Sequence, residues 1–191
     1  MDLLSLSYEE LANALYMKGK MDGYSKVTDK TKWREPVMAD KLGHIAHTKI
    51  SAGLNSDEYG SDAYDPTNQI YAEYKTTAIS DDDEASIRKI LNMPSKSGRT
   101  VKAATIGGVY NGAYKDSAIE AYSKIDHYFG IFFEEICVLI AKIPTDEVIR
   151  QLTHNNQNRK VGATTNLSTV SVPLSDAEIV YDNRQYLNKF F

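Results

Sequence analysis

Two apolar runs past the middle of the chain constrain its fold more than any other stretch. They are Tyr128 to Phe133, YFGIFF, and Ile136 to Ile143, ICVLIAKI. Neither alternates polar with apolar residues, so neither suits a surface with one face in water. Each reads as a strand buried on both sides, and Glu134-Glu135 between them reads as a tight turn. Helical and strand patterns interleave around this pair. The order is helix, helix, β-hairpin, helix, strand, helix, two strands, helix, strand. That order predicts an α/β chain of the mixed α+β kind: a central mixed sheet flanked by α-helices.

The individual elements follow from period and punctuation. Tyr8 to Lys18 reads as an amphipathic helix with Leu11, Leu15 and Ala14 inward. Ser7 is its N-cap, Glu10 completes a capping box, and Gly19 and Gly23 end it. Lys20 to Lys32 is a basic connector. Trp33 to His47 reads as a second helix, with Pro36 in its first turn and Val37 or Met38, Leu42 and Ile45 as its buried stripe. Glu35 falls at the edge of that stripe, facing inward. Such a carboxylate needs a partner, although a first-turn glutamate is also favoured by the helix dipole. His44 and His47 stand one turn apart, and with no third ligand in view surface or DNA-facing roles are expected rather than metal binding. Thr48 to Glu58 is a polar loop. Asp81 to Glu84 supplies dipole-favoured acids to a helix over Ala85 to Asn92, and Met93 to Lys102 is a Pro/Gly/Ser loop. The glycine pair in TIGGVYNG (105–112) suits a strand with a bend or bulge better than a nucleotide loop, because it lacks the phosphate-loop lysine spacing. Ser117 to His127 and Pro144 to Leu152 read as helices, Thr153 to Lys160 as a polar loop, and Thr164 to Leu174 as an edge strand. The whole, 1–191, is expected to be one domain. It divides into a helix and connector (1–32), a core (about 33–174) and a C-terminal tail (175–191) that either packs or mediates dimer contact.

The chemistry concentrates in YGSDAYDPTNQIYAEYKTT, residues 59–77. Ser61 to Tyr64 and Gln69 to Thr77 read as strands joined by a turn at Asp65-Pro66-Thr67-Asn68. Alternation along the second strand brings Glu73 and Lys75 out side by side on one face. Antiparallel pairing across the turn brings Asp62 close to them. Two carboxylates placed together repel, and a hard divalent cation relieves the repulsion. Mg²⁺ suits a site with few carboxylates, several waters and a substrate phosphate. It can stabilise charge on a phosphoryl group and lower the pKa of a bound water. A lysine on the same face can orient or deprotonate that water. A bare Glu-x-Lys is also what a solvated cross-strand ion pair looks like. Here the upstream Asp62, the small residues of Gly60-Ser61-Asp62-Ala63 and the hydroxyl pair Thr76-Thr77 favour the site.

GSDAYD…AEYKTT resembles the active-site hairpin of the PD-(D/E)xK nuclease superfamily, in particular its restriction endonuclease branch. Ser61 stands where the nominal motif has proline. The resemblance implies a restriction-endonuclease-like core in which Asp62 and Glu73 are the acidic metal ligands, Lys75 is the catalytic lysine and Glu35 assists from the first core helix. It implies a Mg²⁺-dependent deoxyribonuclease, with Mn²⁺ able to substitute, acting on double-stranded DNA. A restriction enzyme is the most economical role. A homodimer would cut both strands of a symmetric site. The nearest alternatives are a nicking, repair or mobile-element nuclease of the same superfamily. Two other classes are a non-catalytic DNA-binding protein on the same fold and a small-molecule enzyme using the glycine-rich stretch. For DNA contact the polar loops nominate Lys49 and Asn55, then Lys96, Arg99 and Lys102 as phosphate grips. Asn155, Asn156, Gln157, Arg159 and Lys160 are nominated for base readout, since Asn and Gln can pair with adenine and Arg with guanine. Lys26, Lys30 and Lys32 of the connector suit either phosphate contact or a solvated loop.

Composition bears on two of these points. The net charge of −4 argues mildly against a nucleic-acid partner. The charge is uneven, however: residues 51–95 hold nine acids and three bases, while 18–49 hold eight bases and four acids. That is the distribution expected of an acidic metal site beside basic flanks, and also of an ordinary patchy surface. The lone Cys137 lies in an apolar run and cannot form an internal disulfide, so a buried thiol in a reducing, cytoplasmic setting is expected. No apolar run reaches ~18 residues, and the acidic N-terminal MDLLSLSYEEL is unlike a secretory signal.

Overall fold

The computed structural model describes residues 5–21, 31–46, 61–80, 83–95, 97–98, 104–111, 113, 115–159 and 167–190. A six-stranded mixed sheet forms the centre. Its strands are β1 (Ile45–Ala46), β2 (Ala63–Asp65), β3 (Ile70–Ile79), β5 (Asp126–Phe133), β6 (Ile136–Ile143) and β8 (Glu178–Asp182), lying side by side in that order. Only the β3–β5 pair is parallel; the other neighbours are antiparallel. A second ribbon, β4 (Thr105–Asn111) with β7 (Leu167–Pro173), is not hydrogen-bonded into it.

The two apolar runs are the middle of the large sheet. Every residue of β5 is buried, and in β6 only Ile136 and Lys142 are partly exposed. Strands without a wet face need cover on both sides, and they have it. On one face α2 (Thr31–Leu42) packs Val37, Met38 and Ala39 against Ala72, Tyr74, Phe132 and Ile140. Outside it lies α1 (Tyr8–Met21), which buries Ala12. The other face is covered by α3 (Glu84–Ile90), α4 (Asp116–Tyr122), α5 (Thr145–Gln157) and the β4–β7 ribbon, around Ile87, Ile119, Val148, Leu152, Val170 and Val172. A β-strand's alternate side chains serve opposite faces. Tyr74 and Tyr128 therefore belong to the α2 layer, while Phe129 and Ile131 belong to the layer that also receives Glu73 and Lys75.

Several expectations are met closely. Ser7 and Glu10 form the capping box, with the Ser7 N–H donating to Glu10 Oε2 at 2.9 Å and the Glu10 N–H to Ser7 Oγ at 3.3 Å. Asp83 caps α3 through the Ser86 N–H at 3.1 Å. Cys137 is fully buried, and burial pushes its thiol up to about 12.

Others are corrected. Helix α1 runs through Gly19 to Met21, and its buried alanine is Ala12 rather than the exposed Ala14. Helix α2 starts two residues early, so Pro36 is its sixth residue and outside the first turn. It stops at Leu42 because Gly43 takes a left-handed φ of 70°. Ile45 then enters β1 and is 41% exposed instead of joining the buried stripe. His44 is not a surface residue. Its side chain is 5% exposed, with Nδ1 2.7 Å from the Tyr74 hydroxyl and Nε2 3.6 Å from Asp65 Oδ2. His127 leaves the predicted helix: α4 ends at Tyr122, and β5 begins at Asp126. Gly107 and Gly108 of TIGGVYNG cause no bulge, since the β4–β7 register is continuous from Thr105↔Pro173 to Asn111↔Leu167. Of the two expectations for the C-terminal tail, packing is met. The tail supplies the edge strand β8 and a 3₁₀ segment, Arg184–Phe190, whose Leu187 is fully buried. Among the described residues, no helix is long and apolar enough to cross a membrane.

Candidate active site

The hairpin β2–β3 assembles the site. Asp65 builds the turn, with Oδ1 accepting from the N–H groups of Thr67 (2.8 Å) and Asn68 (3.1 Å), and Oδ2 accepting from the Asn68 amide at 2.7 Å. The turn sets the register Ala63↔Ala72, which puts Asp62 beside Glu73 at the mouth of the hairpin. Asp62 is held there from both ends. Its N–H donates to the Ala72 carbonyl at 2.8 Å, and its Oδ2 accepts the Tyr74 N–H at 2.7 Å.

Glu73 is 4% exposed. Its Oε1 forms an ion pair with Lys75 Nζ, but its Oε2 is buried with no hydrogen-bond partner among the described residues. Burial, and then the charge of Asp62, push the Glu73 carboxyl up to about 8. Lys75 opposes that rise and Glu35, half-buried on α2, adds to it. Without a cation the pocket therefore favours a proton on Glu73. A buried acceptor left unmade costs about 1–3 kcal/mol. A hard divalent ion between Asp62 and Glu73 would remove both penalties at once, so the donor set fits Mg²⁺. Among the described residues, no three His, Cys, Asp or Glu gather closely enough to hold a metal by themselves. The pair that does meet suits an ion that keeps waters and takes its remaining oxygens from a phosphate.

Three residues that sequence reasoning did not nominate complete the surroundings. Gly108 of β4 lies on the stem of Lys75: a Cβ there would stand 2.8–2.9 Å from Lys75 Cβ, Cγ and Cδ. Two residues on, the Tyr110 ring centroid is 5.0 Å from Lys75 Nζ. The Tyr110 hydroxyl is 3.2 Å from Nδ1 of His127, the parallel-register neighbour of Glu73. His127 Nε2 is 2.9 Å from the Tyr122 carbonyl. A carbonyl can only accept, so Nε2 carries the proton and Nδ1 accepts from Tyr110. Burial lowers His127 to about 4, and the ring is neutral near pH 7. The glycine pair was the available signal for close backbone approach; the partner it admits was not legible.

Asp62, Glu73 and Lys75 thus meet at one end of the hairpin, with Glu35 near enough to act on Glu73. Of the candidate DNA contacts, Asn155, Asn156, Gln157 and Arg159 are among the described residues. Lys49, Asn55, Lys96, Arg99, Lys102 and Lys160 lie outside the described residues, as do Lys26 and Lys30. The predicted readout loop is a correction, because α5 continues through Gln157. Within it, Asn155 Nδ2 donates to the Thr169 carbonyl at 2.9 Å and lies 3.0 Å from Ser168 Oγ. Gln151 pairs with both the N–H and C=O of Ser171 at 2.9 Å. These amides cover the outer edge of β7. Asn156 Nδ2 donates to Asp116 at 3.2 Å, Gln157 is exposed, and Arg159 follows the end of the helix. No protein-family model matches this chain, and no curated protein matches its sequence.

Proposed function

We propose that this protein is a Mg²⁺-dependent DNA endonuclease of the PD-(D/E)xK type, most economically a restriction enzyme, with a restriction-endonuclease-like core. The observation that supports this reading best is the meeting of Asp62, Glu73 and Lys75 on one hairpin, with Glu73 Oε2 buried and unpartnered among the described residues. In this reading Asp62 and Glu73 hold the cation. The cation, when bound, supplies charge neutralisation for the scissile phosphate and a more acidic water. Lys75 stands beside Glu73 and orients that water by hydrogen bonding. Glu35 adds negative charge near the cation from α2. Cutting both strands takes two such sites, so a homodimer is the working assembly.

The test is cleavage of plasmid and of long, mixed-sequence double-stranded DNA with Mg²⁺, by wild type and by Lys75→Ala. Wild type should give discrete ends whose sequencing defines the site. Lys75→Ala should cut at least ~10²-fold more slowly, the scale of a lost proton-transfer or water-positioning group, while still binding. Mn²⁺ should replace Mg²⁺. If the wild type binds DNA but cuts none with either ion, the protein is a binding module and the catalytic reading fails.

A further inference from the structure

The same layer that covers Lys75 contains a second device, and its role depends on the nuclease reading above. A lysine ammonium at the end of four methylenes is a mobile group. Here the stem is pressed between β3 and β4, because position 108 has no side chain. Residues 106, 108 and 110 share the inward face of β4, with Ile106 and Tyr110 each 1% exposed. The Tyr110 ring therefore arrives beside the same Lys75 Nζ that pairs with Glu73. The ring is held at two points. Its hydroxyl donates to His127 Nδ1, and it packs T-shaped against the Tyr122 ring, with centroids 5.1 Å apart and planes at 90°. His127 is in turn held through Nε2 by the Tyr122 carbonyl and is fully buried.

We infer that Tyr110 is a positioning residue for the cleavage reaction: its ring, locked by His127 and Tyr122, holds the Lys75 ammonium against Glu73. The attraction is that of a partly buried cation, its side chain 19% exposed, for the face of a fully buried aromatic ring. Tyr110 acts through Lys75. His127 serves the same end. Its two ring nitrogens tie the Tyr110 hydroxyl to the Tyr122 carbonyl.

Two variants and two readouts test this. Tyr110→Phe keeps the ring and loses the hydroxyl; Tyr110→Leu loses the ring. Single-turnover cleavage of long mixed-sequence DNA with Mg²⁺ is measured per folded molecule at saturating and subsaturating protein. Tyr110→Leu should lower the saturated rate roughly tenfold, the scale of a desolvated cation–π contact, with half-saturation unchanged. Tyr110→Phe should restore most of that rate. A residue that only fills the core would reduce the folded fraction and leave the rate per folded molecule alone. The second readout needs no activity: NMR of wild type should show the Lys75 ε-methylene shifted upfield, with cross-peaks to the Tyr110 ring. Missing cross-peaks, or a wild-type rate in folded Tyr110→Leu, overturn the inference, and the cross-peaks decide it if that variant does not fold. If wild type cuts no DNA, the nuclease reading fails and takes the positioning role with it, even where the ring contact is seen.

Discussion

Raising the pH of the metal-free protein should weaken it through one carboxyl group. Glu73 is 4% exposed, and burial followed by the charge of Asp62 pushes it up to about 8 from an ordinary 4.5. Between those values the folded state holds a proton that the unfolded chain has released. Stability from this group is therefore fully present below the unfolded value and is lost as pH rises through the folded one. At about 1.4 kcal/mol per pH unit, the loss between about pH 6 and pH 9 is on the order of 2–3 kcal/mol. For a chain of this size that is a fall in Tm of roughly 5–10 °C. Other groups titrate in the same window, so the comparison is with Glu73→Gln, whose side chain stays neutral. Urea unfolding of both proteins in EDTA, at several pH values, gives the difference in stability. Wild type minus variant should fall by the stated 2–3 kcal/mol on going up the window. Mg²⁺ added at about pH 9 should recover wild type and leave Glu73→Gln unmoved. A difference that stays flat with pH would refute the buried-carboxylate argument. An equal Mg²⁺ response in the two proteins would refute Glu73 as a ligand.

Gly108→Ala places a methyl 2.8–2.9 Å from the Lys75 stem, so β4 or Lys75 has to move. A destabilisation of about 1–3 kcal/mol is expected, together with a drop in cleavage beyond what the unfolded fraction explains; unchanged cleavage per folded molecule would show that Lys75 tolerates displacement. Leu187→Ala empties a fully buried position at the C-terminus and should cost about 2–5 kcal/mol in urea unfolding. A cost well under 1 kcal/mol would make the last 3₁₀ segment dispensable. Asp65→Ala removes three hydrogen bonds from the β2–β3 turn. It should lower stability by about 1–3 kcal/mol and loosen Asp62, read as weaker protection of the Tyr74 amide in hydrogen exchange.

Much of the molecule is local, and what is local was legible. The strands Tyr128 to Phe133 and Ile136 to Ile143 declare themselves by having no polar face, and the Ser7–Glu10 box by its spacing. The turn at Asp65 to Asn68 is set by side chains that bond their own backbone, and it brings Asp62 opposite Glu73 whatever the rest of the chain does. The errors fall where a segment's state depends on a distant partner. His127 continues a helical pattern as far as sequence goes, but it becomes a strand residue because β3 pairs with it in parallel, more than fifty positions away. Asn155 looked like a free amide until β7 arrived to use it. The stretch 178–182, nearly all exposed, has no strand pattern of its own and is a strand only because β6 has an edge to fill. So the residue order alone determined which carboxylates and which lysine share a hairpin, since that is a matter of two-residue alternation and one turn. Tertiary structure alone decided how dry Glu73 is, which ring lies on Lys75, and that β4 can approach at all. Burial and long-range contact are set by elements far apart in the chain, and no local period records them.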